Sequence, residues 1–293
     1  MKFAKKSALL AAAVVTAAIA NRASAATVAA WTFENNAIAV NNSPTPSTGT
    51  GTASLMGMNI YATPNVGVTT DDVLLGKNSD TGANTVADTT QTWRVRAQAG
   101  SNGAANGWSS LAPIGTQGAA FAESTVGFTG AINVSFDWYA TTQGEANLQL
   151  EYTTNGTNWT NVPLTLSGSD AGLVVMTNNG SDTNTVTGSY VSDNILNAGE
   201  ATTAGQDWFT DLTASINDPN ADGDSSFAIE MVNASTGTDD VSTQGTALNN
   251  NSGNWRFDNI SVSATAVPEP ASVCLLGLAG LAMLHRRRKS AAK

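Results

Sequence analysis

The chain has 293 residues, only 12% of them charged, against about 25% in ordinary soluble domains, with small polar residues filling the gap. Between residues 26 and 284 stand four of the 13 Lys and Arg and all 23 acidic residues, a formal charge of −19 that repels nucleic acid and anionic lipid. The only histidine is His285 and the only cysteine Cys274, both near the C-terminus. The body before them therefore has no disulfide, no thiol nucleophile, no Ser-His pair and no His or Cys zinc ligand.

The first 25 residues have the three parts of a secretory leader. Lys2, Lys5 and Lys6 make a positive start, Ala8 to Ala20 an apolar run, and Ala23-Ser24-Ala25 a small-x-small site for signal peptidase. Cleavage is expected after Ala25, leaving residues 26–264 as one domain.

That domain shows short alternating runs separated by Gly, Asn, Ser and Asp, and no sustained helical period. The first expected strands are "ATVAAWTF", "SLMGMNIYA" and "TWRVRAQ". In "AINVSFDWYA", Ile132, Val134, Phe136 and Trp138 share one face, with Asp137 on the other. "ANLQLEYTT" follows and runs into Asn155-Gly156, a hairpin signal because both residues tolerate positive φ. Residues 169–204 and 234–253 are weakly patterned and read as surface loops, and "DWFTDLTASI", "SSFAIEMVNA" and "NWRFDNISVSA" as the closing strands. The pattern predicts an all-β antiparallel two-sheet sandwich, with a signal helix before it and a short apolar helix after it.

Three candidate sites stand in the domain. Asp218, Asn220, Asp222 and Asp224, around Gly223, fit the opening of a calcium loop, in which alternate oxygens wrap a hard cation. The pattern departs at its twelfth position, Ile229, with Glu230 one residue late, and a solvated turn is the alternative. Glu34 in "WTFEN" and Asp258 in "WRFDN" resemble, by position, the two acidic residues that share a structural calcium in many jelly-roll carbohydrate-binding modules. Against this, Asp258 could pair with Arg256 or a turn amide. Trp108, amid the turn residues of "NGWSS", is a candidate platform for a sugar ring, whereas Trp138 follows the core pattern. For catalysis only a carboxylate pair remains: Asp137, Glu145 and Glu151 are close in sequence, with Asp137 and Glu151 expected on outward positions of neighbouring strands.

The last 29 residues, 265–293, change character. Val267-Pro268-Glu269-Pro270 is held extended by two prolines. The apolar run Ala271 to Leu284 is short of the ~20 residues a helix needs to span a bilayer core. Arg286, Arg287, Arg288 and Lys289 would stay cytoplasmic by the positive-inside tendency. Cys274 reads as a small apolar residue rather than a lipidation site.

These three parts resemble the PEP-CTERM sorting signal of Gram-negative and related bacteria. The resemblance implies recognition and cleavage by an exosortase, a membrane-embedded transpeptidase-like enzyme, near Pro268-Glu269-Pro270. "VGFTGAINVSFDWYATTQGEANLQLEYTTNGTNWTNVP", "FAIEMVNASTGT" and "GNWRFDNISVSA" are similar to extracellular PEP-CTERM proteins with jelly-roll-like domains, a group without one assigned activity. The expectation is an exported, non-enzymatic protein, held briefly at the inner membrane and then delivered to the cell surface or extracellular matrix. Its partners would be signal peptidase, an exosortase-type enzyme and exopolysaccharide. A carbohydrate-binding module is the alternative reading and a glycoside hydrolase the third.

Overall fold

The computed structural model describes residues 24–36, 43–57, 73–75, 91–96, 108–109, 115–140, 144–145, 147–165, 175–176, 186–187, 195–197, 208–234, 249–250 and 253–267. Nearly all of these are strand or turn; the one helical turn among them is Pro219–Ala221. The expected signal helix and C-terminal apolar helix lie outside the described residues. By internal packing the chain divides into Ala26–Ala264 and a second unit made of Met1–Ala25 with Thr265–Lys293.

Ten strands carry the argument: β1 (Ala25–Trp31), β2 (Gly51–Met56), β3 (Gln91–Arg96), β4 (Gly118–Glu123), β5 (Phe128–Ala140), β6 (Asn147–Thr153), β7 (Thr160–Val162), β8 (Phe209–Ile216), β9 (Ala228–Asn233) and β10 (Asn254–Ala266). Two antiparallel sheets result. In the first, β8, β5, β10 and β1 lie side by side, Thr48–Gly49 flanks β1, and β3 also pairs with β10. In the second, the order runs from Ile195–Asn197 through β6, β9 and β4 to β2, with β7 also on β6.

Alternation decides which face is buried. Ile132, Val134, Phe136 and Trp138 of β5 meet Leu148 and Leu150 of β6 and Ile229 and Met231 of β9 in one core. Aromatic rings bridge the sheets: Phe121 of β4 lies 5.0 Å from Trp31 and 5.7 Å from Trp93, both edge-on. Trp138 and Trp255 meet edge-to-face at 5.5 Å. Such contacts add about 0.5–1.5 kcal/mol each beyond area burial. Gly51 makes room for one of these rings, since a Cβ there would sit 2.8 Å from Trp31 Cη2 and 2.9 Å from the Ala122 carbonyl.

Three expectations need correction. β4 is interior to its sheet, paired with both β2 and β9, although "GAAFAE" was not among the expected strands; Gly and Ala are depleted in strands, and pairing on two sides overrides that preference. Part of 169–204 is not loop, because Ile195–Asn197 extends the ladder on β6. At the Asn155-Gly156 turn only Gly156 takes positive φ (70°). Asn155 instead folds its side chain back, Oδ1 accepting from the Thr157 and Asn158 amides at 2.9 and 2.8 Å. The returning strand is Thr160–Val162.

Candidate functional site

The chain leaves the sandwich along β10. Trp255 and Phe257 face the core, then Ile260, Val262 and Ala264 do, so the alternation slips by one residue at Asn259. Asn259 has φ of 49°, a left-handed position that Asn tolerates better than most residues. The strand ends at Ala266, whose N–H donates to the Ser24 carbonyl at 3.1 Å. Val267 follows, 49% exposed. Pro268, Glu269, Pro270 and the basic cluster Arg286, Arg287, Arg288 and Lys289 lie outside the described residues.

The face of β5, β8 and β10 turned away from the core carries a buried polar group of residues. Asp137 is its anchor. β8 has an extra residue opposite β5, where the pairing shifts between Phe209 and Leu212, and Asp211 there has φ of 53°. The Asp211 amide donates to Asp137 Oδ1 at 2.7 Å, and Asn259 Nδ2 donates to Oδ2 at 3.0 Å. One carboxylate thus ties together the bulges of two strands. Arg94 and Arg256 stand opposite each other on β3 and β10, both buried. The Arg256 guanidinium lies 5.2 Å over the Tyr139 ring, which in turn packs against Trp208 at 5.6 Å. Burial pulls the Arg256 pKa down, opposed by the nearby Tyr139.

The Glu34 and Asp258 carboxylates are each drawn to an amide. Glu34 is exposed and its Oε1 accepts from the Gln91 amide at 2.8 Å, at the start of β3. Asp258 is 1% exposed and its Oδ1 accepts from the Asn259 amide at 2.9 Å.

The Asp218 loop is tied down by its own carboxylates. Asp218 Oδ1 accepts from the amide and the side chain of Asn220, both at 2.9 Å, and Oδ2 accepts from the Tyr152 hydroxyl at 3.0 Å. Asp222 accepts from the Gly130 amide at 2.8 Å and the Thr129 hydroxyl at 2.7 Å. Asp224 Oδ1 accepts from the Ser226 amide at 2.8 Å, while its Oδ2 is buried without a partner. A cavity of about 210 Å³ opens between Gly130, Ala131, Asn217, Asp218, Pro219 and Asp222. Among the described residues, no group of three or more His, Cys, Asp or Glu is placed to hold a metal ion. The visible work of these oxygens is to fasten the loop to the turn at Thr125–Gly130.

The second sheet carries a carboxyl pair that alternation alone does not reveal. Glu230 of β9 stands directly opposite Glu151 of β6, on the face away from the core, and is 1% exposed. Gln149 Nε2 donates to Glu151 Oε1 at 2.6 Å, while Glu230 Oε2 has no partner. Burial first, and then the charge of Glu151, push the Glu230 pKa up to about 8; burial also raises Glu151. Glu123, at the end of β4, is buried with neither carboxyl oxygen partnered, and burial raises its pKa well above the usual range. Glu230, at about 8, is therefore chiefly a carboxylic acid at neutral pH, and Glu123 is shifted in the same direction.

The three acids close in sequence separate in space. Asp137 and Glu151 lie on strands of different sheets, which corrects the expectation that their strands are neighbours: the chain crosses from one sheet to the other between Ala140 and Asn147. Glu145 is buried beside the core, its Oε1 accepting from the Asn147 amide at 2.8 Å and its backbone carbonyl from Trp255 Nε1 at 2.6 Å. Trp108 stands on a two-residue strand opposite Asn250, and its side chain lies outside the described residues. No helix among the described residues is long and apolar enough to cross a membrane.

What the geometry defines is an all-β domain whose last strand runs without a break into a tail of separate character. That tail matches the PEP-CTERM protein-sorting motif over residues 266–289, beginning at the final residue of β10. The motif implies an exported protein, anchored transiently at the membrane and processed by an exosortase. No curated protein and no solved structure matches the chain.

Proposed function

We propose that this is a non-enzymatic cell-surface or extracellular-matrix protein, whose β-sandwich is the cargo and whose tail is the address. The observation that carries the reading is the boundary: the sorting motif begins at Ala266, where β10 ends, so the tail can be removed without cutting into the sandwich. The acids considered for catalysis support it too. Asp137 is occupied in fixing two bulges and Glu145 in holding a buried turn.

The test replaces Pro268-Glu269-Pro270 by alanines in the full chain. Export should continue, since translocation needs only the leader, but the protein should accumulate untrimmed in the membrane fraction. An altered chain that reaches the surface with its C-terminus removed would overturn the assignment.

A further inference from the structure

The domain is poor in cations, yet it sets two of them against each other out of water. Between residues 26 and 284 the cations are Lys77, Arg94, Arg96 and Arg256, beside 23 acidic residues. Arg94 of β3 and Arg256 of β10 are directly opposite in the antiparallel ladder, and 5% and 6% exposed. Trp93 and Val95 on one strand, and Trp255 and Phe257 on the other, face the core. Alternation therefore puts both arginines on the outer face of the sheet. Like charges so placed repel, and burial adds the cost of desolvation.

The face does not supply Arg256 with acceptors. Its Nε and Nη1 are buried without a partner, and the contact it does make is with the Tyr139 ring at 5.2 Å. Asp137, on the same face, gives its two oxygens to the Asp211 amide and the Asn259 side chain. Two further polar atoms are buried in the same condition as Arg256. One is the hydroxyl of Thr92, two residues before Arg94 on the same face of β3. The other is Nε1 of Trp208, whose ring packs on Tyr139 at 5.6 Å. Native proteins rarely leave a buried donor dry, and a charged one costs the most.

We propose that Arg256 and Arg94 form a binding site for a carboxylate on the outer face of the first sheet. A carboxylate supplies the acceptors that Arg256 lacks, and its charge stands between two guanidinium groups that otherwise repel. Its single charge matters. The desolvation cost of an ion grows as the square of its charge, whereas its attraction to the arginines grows only in proportion. The acidic domain also repels a dianion twice as strongly. Sulfate is thus a poorer ligand than acetate. With so little of Arg256 exposed, the ligand is a small acid, or one carboxyl group carried on a larger molecule. The site involves no part of the tail, so it stands or falls independently of the sorting function.

The test uses the full chain in a mild detergent, with sodium acetate replacing sodium chloride at constant ionic strength and neutral pH. Acetate at ten times its dissociation constant should raise the melting temperature by about 3–5 °C. Arg256→Met should lose the whole shift, and Arg94→Met should weaken acetate binding about tenfold. Saturation-transfer NMR on the acetate methyl group reads binding to the parent directly, so the site remains testable should a variant fail to fold. An unchanged melting temperature with no transfer to the methyl group overturns the site, and so does a shift that Arg256→Met retains. A larger shift with sulfate than with acetate overturns the choice of a carboxylate. Polygalacturonate and its methyl ester then assign the source. Stabilisation by the acid polymer and not by the ester places the carboxyl group on a polysaccharide; a response to acetate alone places it on a free small acid.

Discussion

The two sheets bury charge on their outer faces in opposite ways. On the outer face of the first sheet, Arg94 of β3, Arg256 and Asp258 of β10 and Asp137 of β5 are all buried, and both signs are present. Asp137 accepts from two donors and Arg256 lies over an aromatic ring, so each keeps favourable electrostatics out of water. On the β6–β9 face, two carboxyls of the same sign stand opposite each other with an amide as company. Like charges so placed cannot both ionise cheaply, and the pair keeps a proton instead. The first face is stabilised by geometry and the second by protonation. They should respond to different perturbations.

The largest expected effect is therefore on pH dependence. A carboxyl whose pKa is raised on folding binds its proton more tightly in the native state than in the unfolded one. Between about 4.5 and about 8, the unfolded chain has released the Glu230 proton while the native state holds it. Stability from this group is thus greatest at or below about pH 4.5, falls as pH rises to about 8, and is flat beyond. Glu123 acts in the same direction. Thermal unfolding should show a melting temperature lower at pH 9 than at pH 5 by on the order of 10 °C. Glu230→Gln, which fixes the neutral shape, should flatten most of that slope, and Glu123→Gln part of the rest. A slope unchanged in both variants would trace the pH dependence to the acidic surface as a whole.

Next in size is the other face. Asp137→Ala leaves the Asp211 amide and the Asn259 side chain without their acceptor, in a buried setting, at about 3 kcal/mol. The denaturation midpoint should fall with an unchanged m-value. Asp137→Asn keeps one acceptor and should lose about half as much. If Asp137→Ala is tolerated within about 1 kcal/mol, the bulges at Asp211 and Asn259 hold themselves and the carboxylate is not their anchor.

Much of this fold is legible in the residues, and the limits have physical causes. The alternation in "AINVSFDWYA" identifies the inward residues of β5, with Trp138 wholly buried. It cannot say which sheet a strand joins, which is why Asp137 and Glu151 read as neighbours when they are not. Nor does it show a bulge: an inserted residue such as Asn259 moves the following side chains to the other face, and nothing in "FDNIS" announces a positive φ. The Glu151–Glu230 pair needed the register between strands 79 positions apart, information no local pattern contains. The sorting motif was legible, because such a signal is read as a linear peptide and depends on local chemistry.

The smallest expected effect sharpens the contrast between the faces. Arg256 is buried, yet its Nε and Nη1 find no hydrogen-bond acceptor among the described residues. Its stabilising contact is the Tyr139 ring at 5.2 Å, worth about 0.5–2 kcal/mol. Against this stands the cost of taking a guanidinium out of water, the same cost that lowers its pKa. The ring contact offsets part of that cost. Arg256→Met keeps the length and apolar stem, removes the charge, and places a sulfur near the same ring. The variant should lie within about 1 kcal/mol of the parent in chemical denaturation, whereas Arg256→Ala should lose more through the cavity it leaves. A loss above about 2 kcal/mol in Arg256→Met would mean that the charge itself holds the face together, through the carboxylates of Asp137 or Asp258. The outer face of the first sheet would then be an ionic network and not a set of separately satisfied groups.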